Sequence, residues 1–576
     1  MSSPGSAVRP AGPAAATAVW RCRDLFFAYL EDHGIRYVFG NPGTTELPLL
    51  DGCRDHPSVD YKLSLHEDVA VAEAMGYARA SGTIGVVNLH VTPGLAHGLG
   101  NLYNAFRARV PLLVTAGQHH TGLLVHEPIL TADLAALVRP FTKWAHEVRI
   151  AEELPIALQR AFKELTTPPY GPVFLSFPMD LMLDEYPTAG GAPPVRTSRT
   201  APAHADRTEL ERAAALLAGA DHPMIVAGDG VGHARAWPEV AALAEAVGAT
   251  VRTESYSTLW NFPSRHPLFG GPLPNTAGAM RPVFAAADVV FLCGVTAQTP
   301  VSRYDGGGPL VPWHVRTVAL DDSPWEVGKN HPVEVGLIGD VGAGLRVLVD
   351  AVHRAPPPAA LVAARRAAAE RANAERAGTW ARRVSAARSG GRLSPVAIAA
   401  ELRERLPDAI FVDETISNRE AFVNVLDFAD PLSYFAANGL SLGYSPGAAV
   451  GIQQALPDRR VVNIVGDGSL LYYPHALWNA ANRGTPVVFV VLNNGQYRVL
   501  KLIVDRMGGP WSASGDLPPG LDIAGPPVDF VPLARSLGVA GERAATPAEL
   551  RSALDRAVES GRPYLIDAVL EQGGSA

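Results

Sequence analysis

The chain has 576 residues, of which 47% are hydrophobic and 18% are charged, and its formal net charge is −8. Since a single core rarely extends beyond about 250–300 residues, this length predicts about three or four domains in a soluble globular protein. The acidic balance, without a basic cluster, argues against a nucleic-acid partner, and no apolar run approaches the ~18–20 residues of a membrane span.

The N-terminal segment, residues 1–18, is rich in Ala, Pro, Gly and Ser, and we expect it to be a disordered tail. It lacks the basic segment and the apolar core of a secretory signal. The three cysteines, Cys22, Cys53 and Cys293, show no metal-ligand spacing. We therefore expect buried, reduced thiols and a cytoplasmic protein.

Two linker-like segments divide the remaining chain into three domains. A first domain at 19–185 precedes a Pro-, Gly- and Thr-rich linker at 186–206, and a second domain at 207–355 precedes a linker helix at 356–392. The third domain spans 393–576. In each, Val/Ile/Leu-rich strands alternate with helical patterns, which predicts an α/β fold of three doubly wound domains with mainly parallel sheets. The predicted strands are residues 85–88, 112–116, 224–227, 289–293, 410–412, 461–465 and 487–492.

The first domain carries two polar motifs that have structural as well as functional interpretations. Glu67 follows an apolar strand and begins an Ala-rich helical pattern, where an acidic group also stabilises a helix N-terminus. His90 follows the predicted strand 85–88. It is either a structural histidine or an acid–base group, since histidine titrates near neutral pH.

The second domain contains a Gly-rich turn, residues 228–232 (GDGVG), after a predicted strand. Its match to a dinucleotide-binding fingerprint is imperfect, and an isolated Gly-rich turn is usually only a turn. We favour the structural interpretation.

The third domain has polar clusters after two neighbouring strands. Residues 466–469 (GDGS) follow the strand 461–465, and residues 493–495 (NNG) follow the strand 487–492, with a helical pattern at 475–483 between them. Each cluster alone is typical of a turn. Together they place one carboxylate and one amide at the carboxyl edge of a parallel sheet, where ligands collect. This chemistry suits Mg²⁺ and the phosphate oxygens of a diphosphate cofactor.

The GDG motif, followed 27 positions after its Asp by the second Asn of NNG, resembles the signature of thiamine diphosphate enzymes. The segment HE, followed by a helix ending in GYAR, resembles the pyrimidine-binding segment of that family. Within the family, nearly the whole chain is similar to the benzoylformate decarboxylases, and it also resembles acetolactate synthase large subunits. The motifs that carry this similarity are GNPG-x-x-ELP, NLH, TAGQ, FPSRHP, ALW and NNGxY.

The resemblance implies thiamine diphosphate and Mg²⁺ as cofactors and assigns a role to ten residues. Metal ligands would be the side chains of Asp467 and Asn494 and the backbone carbonyl of Gln496. Leu442 would hold the cofactor bent, and Glu67 would exchange a proton with its pyrimidine ring. The other cofactor-binding residues would be Gly466, Gly468 and Ser469, beside Asp467 and Asn494, and the backbone N–H groups of Gly468 and Ser469 would donate to the diphosphate. The catalytic residues would be Glu67, His90 and Thr44.

Four features depart from the benzoylformate decarboxylases. Ser302 stands where those enzymes carry a second histidine, and residues 499–503 (VLKLI) are aliphatic where they offer an aromatic substrate wall. A hydroxyl cannot take over the acid–base role of a histidine. The Gly/Pro-rich stretch 506–519 is either a lid or a surface insertion. The pair His119 and His120 has no assignment.

These features give one leading function and two alternatives. The leading function is decarboxylation of a small-molecule 2-oxo acid, benzoylformate-like or related, to an aldehyde. The alternative is a carboligase or lyase that forms or cleaves 2-hydroxy ketones, and a remote alternative is a non-catalytic scaffold of the same fold. The resemblance also implies a homodimer or homotetramer with active sites at subunit interfaces.

Overall fold

In a computed structural model, the chain is described at residues 20–186, 195, 197–198, 200–296 and 307–570. These residues form three domains, each built around a six-stranded sheet. Every strand pair in these sheets is parallel, and Val86 and Val87, adjacent in one strand, pack into different hydrophobic cores. The α/β fold of three doubly wound parallel sheets is therefore confirmed.

The first domain contains strands β1 Tyr37–Gly40, β2 Asp60–Leu63, β3 Gly85–Leu89, β4 Leu112–Gln118, β5 Trp144–Glu147 and β6 Val173–Pro178. Its helices are α1 Cys22–Asp32, α2 Leu47–Gly52, α3 Glu67–Ser81, α4 Val91–His97, α5 Leu99–Arg107, α6 Leu134–Val138, α7 Leu154–Thr166 and α8 Met179–Leu183. Short 3₁₀ turns lie at Thr44–Glu46, Thr121–His126, Arg139–Phe141 and Ala151–Glu153. The strand order is β2-β1-β3-β4-β6-β5.

The second domain contains strands β7 Pro223–Ala227, β8 Thr250–Thr253, β9 Phe269–Pro272, β10 Val289–Cys293, β11 Arg316–Asp321 and β12 Val335–Ile338. Its helices are α9 Arg207–Gly219, α10 Asp229–His233, α11 Trp237–Val247, α12 Ala277–Ala285 and α13 Val341–Arg354. The strand order is β12-β11-β10-β7-β8-β9. Helix α14, Ala359–Ser389, follows and buries only three of its side chains, as its polar sequence predicts.

The third domain contains strands β13 Ile410–Glu414, β14 Tyr434–Ala436, β15 Val461–Gly466, β16 Val488–Asn493, β17 Ala540–Ala544 and β18 Tyr564–Val569. Its helices are α15 Pro395–Arg405, α16 Arg419–Val425, α17 Tyr444–Ala455, α18 Asp467–Tyr472, α19 His475–Arg483, α20 Arg498–Met507, α21 Pro510–Ser514, α22 Phe530–Ser536 and α23 Pro547–Ser560, with a 3₁₀ turn at Ile416–Asn418. The strand order is β14-β13-β15-β16-β18-β17.

Helices α3 and α17 join the first and third domains through small residues. A Cβ atom on Gly76 of α3 would lie 2.3 Å from the carbonyl oxygen of Ala448, and one on Gly451 of α17 would lie 2.0 Å from that of Glu73. Only glycine permits backbones to approach this closely. Because α3 begins at Glu67 and α17 follows Leu442 after one residue, this contact fixes the relative positions of two predicted site residues.

The Gly-rich turn of the second domain donates backbone N–H groups to carbonyl oxygens of the chain itself. The N–H groups of Gly228 and Gly230 donate to the carbonyl oxygens of Cys293 and Gly294, each at 2.9 Å. A Cβ on Gly230 would lie 2.6 Å from the Cα of Gly294. These amides have acceptors within the chain, which supports the structural interpretation of GDGVG.

The three cysteines are free thiols, and Cys22 and Cys293 are buried, whereas Cys53 is half-buried. Burial raises the pKa of Cys22 to about 12, so this thiol is not ionised near neutral pH. Among the helices that the structure describes, none combines the length and the apolar character needed to cross a membrane.

Candidate active site

Asp467 and Asn494 lie at the carboxyl ends of the paired strands β15 and β16. Asp467 Oδ2 accepts hydrogen bonds from the backbone N–H groups of Asn494 (2.9 Å) and Gly495 (2.6 Å). Its other oxygen accepts from the N–H of Gly468 (2.8 Å). The structure thus brings together the two polar clusters that the sequence predicts to be neighbours.

The donor set at this sheet edge fits a hard cation. Asp467 is 4% exposed, burial raises its pKa, and no cationic side chain among the described residues stabilises its charge. A bound cation would balance this buried carboxylate. Asn494 Oδ1, oriented by the N–H of Gln496 at 3.1 Å, and the Gln496 carbonyl would add oxygen ligands. Mg²⁺ takes such ligands together with phosphate oxygens.

The turn that follows β15 is arranged differently from one expectation. We predict that Gly468 and Ser469 donate N–H groups to a diphosphate, but the Gly468 N–H already donates to Asp467. Ser469 is 5% exposed in the first turn of α18, where N–H groups have no acceptor inside a helix. Gly466 ends β15 directly before this turn. A Cβ on Gly468 would lie 2.6 Å from the ring of Tyr497, so glycine is needed for that packing.

Glu67 is the first residue of α3 and is 8% exposed. The cap of this helix is His66, whose Nδ1 accepts the N–H of Asp68 at 3.1 Å. Glu67 therefore makes no capping hydrogen bond, and its Oε2 lies 3.2 Å from Nδ1 of the exposed His97. Glu67 nevertheless lies in the first turn of α3, where a carboxylate stabilises the helix N-terminus, so both interpretations of this residue stay open.

Aromatic rings surround the start of α3 and include residues of both the first and third domains. The ring centroid of His66 lies 4.6 Å from that of Tyr473, 5.5 Å from that of His475 and 5.6 Å from that of His97. Burial lowers the pKa of His66, so this ring is mainly neutral near pH 7. The Glu67 carboxylate thus begins its helix beside a stack of rings.

Leu442 lines a small cavity of about 80 Å³ between the second and third domains. Ile416, Leu440 and Val499 form its aliphatic part, and the other lining residues include Tyr256, Asp413, Glu414 and Arg419. Ile416 and Leu440 have positive φ angles of 46° and 58°. Such angles are strained for branched residues and cluster at functional sites, where the surrounding structure holds them. An apolar wall with a half-buried leucine fits the predicted support for a bent cofactor.

Glu414 fixes the segment that carries Leu442. Its two carboxyl oxygens accept the backbone N–H groups of Gly443 (2.6 Å) and Ser445 (2.7 Å) on either side of the α17 start. Burial raises its pKa to about 7, since these bonds only partly offset the loss of water. The sequence gives no signal for this residue other than its place two positions after the predicted strand 410–412.

Glu46 and His90 lie together at the carboxyl edge of the first sheet, and Thr44 belongs to the same turn as Glu46. His90 Nδ1 lies 2.8 Å from Glu46 Oε2, and Thr44 is exposed in the 3₁₀ turn that ends at Glu46. Glu46 is 2% exposed and also accepts the N–H groups of Gly43 (2.9 Å) and Gly117 (2.8 Å). A carboxylate surrounded by donors receives the Nδ1–H of His90, which leaves Nε2 as the reactive nitrogen.

Two glycines create the space for this pair. A Cβ on Gly43 would lie 2.1 Å from Nδ1 of His90, and one on Gly117 would lie 2.4 Å from Oε1 of Glu46. Val91, next to His90, has a φ of 37°, which is strained for a β-branched residue. The GNPG segment therefore contributes space and a buried carboxylate as well as the Thr44 hydroxyl.

The remaining sequence features have mixed outcomes. Ser302 lies outside the described residues. His120 Nδ1 accepts the N–H of Gly122 and caps a 3₁₀ turn, while His119 Nε2 is buried without a hydrogen-bond partner. Residues 499–503 belong to α20, and the stretch 506–519 contains the end of α20 and all of α21. No buried side chain occurs in these two helices, so the lid and the surface insertion both stay open.

Models of three thiamine pyrophosphate enzyme domains match the chain: the N-terminal TPP binding domain at residues 21–137, the central domain at 210–348 and the C-terminal TPP binding domain at 417–568. A benzoylformate decarboxylase from Pseudomonas aeruginosa is 34% identical over 551 residues, covering 94% of this chain and 97% of its own. The chain belongs to the thiamine diphosphate-dependent enzymes. The family membership inferred from the GDG and NN motifs is confirmed.

Other members of the family extend this comparison. A thiamine diphosphate-dependent 4-hydroxybenzoylformate decarboxylase from Rhodococcus jostii superposes with a TM-score of 0.84 at 29% identity, covering 96% of this chain and all of the other. An acetolactate synthase large subunit from Corynebacterium glutamicum is 27% identical over 564 residues, covering 94% of this chain and 85% of its own. Relatives with both decarboxylase and synthase names thus share the full three-domain architecture.

Proposed function

We propose that this enzyme uses thiamine diphosphate and Mg²⁺ to decarboxylate a 2-oxo acid, benzoylformate-like or related, to an aldehyde. The observation that carries the proposal is the contact of 2.8 Å between His90 Nδ1 and the buried Glu46. A histidine held in one tautomer, with Nε2 free, suits proton transfer at a carbonyl carbon. Similarity to two decarboxylases supports the same reaction.

Each residue at the site has a defined task in this proposal. Asp467 and Asn494, with the carbonyl of Gln496, hold Mg²⁺, and Ser469 donates its N–H to the diphosphate. Glu67 holds and exchanges a proton on the pyrimidine ring of the cofactor. When bound, thiamine diphosphate supplies the electron sink that makes loss of CO₂ possible.

The substrate end of the site is assigned to Thr44 and His90. The exposed hydroxyl of Thr44 donates a hydrogen bond to the substrate carboxylate before it leaves. His90 Nε2 delivers or removes the proton at the reacting carbon, and Glu46 keeps the imidazole oriented. Leu442 and its apolar neighbours exclude water from the cofactor side.

We further propose that the enzyme acts as a homodimer or homotetramer. Glu67 belongs to the first domain and Asp467 to the third, and the family resemblance implies that such sites form between subunits. Size-exclusion chromatography with light scattering tests this state. A monomer with full activity would contradict it.

A carboligase is the second candidate, supported by the aliphatic side chains that form one part of the cavity beside Leu442. Ile416, Leu440 and Val499 offer a wall that suits a small aliphatic acceptor. The similarity to acetolactate synthase large subunits favours the same reaction. In that case the product would be a 2-hydroxy ketone.

Product analysis separates these functions. The purified enzyme, loaded with thiamine diphosphate and Mg²⁺, is incubated with a panel of aliphatic and aromatic 2-oxo acids, with and without an added aldehyde. Free aldehyde as the main product supports decarboxylation, whereas a 2-hydroxy ketone as the main product contradicts it. Glu67→Gln should remove turnover, and Glu152→Gln, which changes an exposed glutamate elsewhere, should not. Unchanged turnover in Glu67→Gln would contradict the proton role of Glu67.

A further inference from the structure

A second, larger cavity of about 690 Å³ lies where the first and second domains meet. Arg79, Arg109 and Tyr170 line it from the first domain, Arg235 lines it from the second, and Leu432 closes it from the third. It shares no lining residue with the cavity beside Leu442. Its volume is in the range of cavities that hold small organic ligands.

The charge of this cavity is unusual for an acidic protein. Its lining includes three arginines, Arg79, Arg109 and Arg235, but no aspartate or glutamate. Burial lowers the pKa of the lining residue His233 to about 4, so the arginines alone supply the positive charge. The net charge of the whole chain is −8. Positive side chains on low-dielectric walls attract anions into a cleft of this kind.

Only one of the three arginines has its charge balanced by carboxylates. Arg109 Nη1 lies 2.8 Å from Asp321 and 2.7 Å from Asp322. Arg79 is 9% exposed and donates instead to neutral acceptors: the carbonyl oxygens of Ala436 and Thr258 and the hydroxyl of Tyr444. A buried cation without a counter-ion is costly, so an anion nearby would be stabilising.

Arg235 is the arginine that is available to a ligand. It is exposed, and its guanidinium makes no hydrogen bond or ion pair within the described part of the chain. Its Nη2 lies 3.2 Å from the position that a Cβ on Gly82 would occupy, so the side chain reaches from the end of α10 to the end of α3. The backbone at Arg235 has a φ of 51°, a strained value that the surrounding structure must hold.

Apolar side chains form the rest of the wall. Ile84, Val110 and Pro111 come from the first domain, Leu259 comes from the second, and Leu432 comes from the third. An inorganic ion would leave these apolar side chains in contact with water. A ligand with an apolar body and one anionic group would fill the volume and meet the guanidinium groups.

We propose that this cavity binds an organic anion, a carboxylate or phosphate carried on an apolar body, and that Arg235 holds its charged group. Arginine suits both head groups because its planar fork donates two parallel hydrogen bonds. The site is separate from the catalytic residues and does not depend on the reaction assigned to them.

Calorimetric titration of the enzyme saturated with thiamine diphosphate and Mg²⁺ tests the proposal. The probes are phenyl phosphate and phenylacetate, which differ in head group, and benzyl alcohol, which has no charge. At least one anionic probe should bind, and benzyl alcohol should bind at least tenfold more weakly. The better of the two anions identifies the preferred head group.

Variants connect the binding to this cavity. Arg235→Gln should weaken binding of the anionic probe about tenfold or more, since a hydrogen bond to a charged group is lost. Arg235→Lys should keep most of the affinity, and Arg149→Gln, at an exposed arginine outside the lining, should bind like the parent. Equal affinity in Arg235→Gln and the parent, equal binding of benzyl alcohol, or no binding of either anion would overturn the proposal.

Discussion

Glu46→Gln tests whether the buried carboxylate fixes His90. In the parent protein, Oε1 accepts the N–H of Gly117 and the hydroxyl of Thr45, both at 2.8 Å, while Oε2 accepts from Gly43 at 2.9 Å and faces His90 at 2.8 Å. The amide nitrogen of glutamine can only donate. At least one backbone N–H therefore loses its acceptor: that of Gly43 if the nitrogen replaces Oε2, or those of Gly117 and Val91 (3.4 Å) if it replaces Oε1.

The expected cost is about 1–3 kcal/mol of the free energy of unfolding, the penalty for one buried unsatisfied donor. If the amide nitrogen faces His90, Nδ1 must accept and Nε2 carries the hydrogen, so kcat/KM should fall about 10²-fold, the lower end of general acid–base effects. Urea denaturation measures the first effect, and steady-state kinetics on the best 2-oxo acid measures the second. Glu152→Gln is the matched control. A Glu46→Gln variant with the denaturation midpoint and kcat/KM of this control would refute the reasoning.

Three further predictions concern other buried groups. Thiamine diphosphate with Mg²⁺ should raise the melting temperature of the parent protein, because ligand at a hundredfold excess over its Kd stabilises the folded state by about 2.7 kcal/mol. Asp467→Asn should remove this rise. An equal rise in both proteins would contradict the metal assignment. Glu414 has a pKa raised from the usual 4.5 to about 7, so the apo protein should lose about 3 kcal/mol of stability as the pH rises through that window, because the unfolded state releases this proton first. Glu414→Gln should flatten this part of the stability profile measured by denaturation, and an unchanged slope would contradict the assignment. Arg79→Met should lower the free energy of unfolding by about 2–6 kcal/mol, since the carbonyls of Thr258 and Ala436 lose their donor; a change under about 0.5 kcal/mol would count against this role.

The strands and the sheet edge that carries Asp467 and Asn494 could be predicted from sequence because their signals are local. The predicted strand 289–293 is β10, and the predicted strand 461–465 is β15 without its last residue. Asp467 and Asn494 were recognisable because each directly follows an apolar strand of the same parallel unit. A helix start at Glu67 was equally visible, since the Ala-rich pattern begins there.

The missed residues depend on contacts between distant parts of the chain. Glu46 belongs to a turn-rich motif, and its partners His90 and Gly117 lie 44 and 71 positions away. Arg79 belongs to the GYAR segment, but its acceptors are 179 to 365 positions away. The family resemblance assigns the Gly468 N–H to the diphosphate, and the structure shows this N–H donating to its neighbour Asp467. Polar side chains with remote partners leave no periodic signal.

Arg79 makes the three domains dependent on one another. One guanidinium on α3 donates to Thr258 of the second domain and to Ala436 and Tyr444 of the third. Because Glu67 begins the same helix, contacts with all three domains hold the position of its carboxylate. A first domain produced on its own would keep its strands and lose the attachments that hold this helix. We therefore expect the fold to tolerate an insertion between two domains only where the insertion leaves the hydrogen bonds of Arg79 to the second and third domains intact.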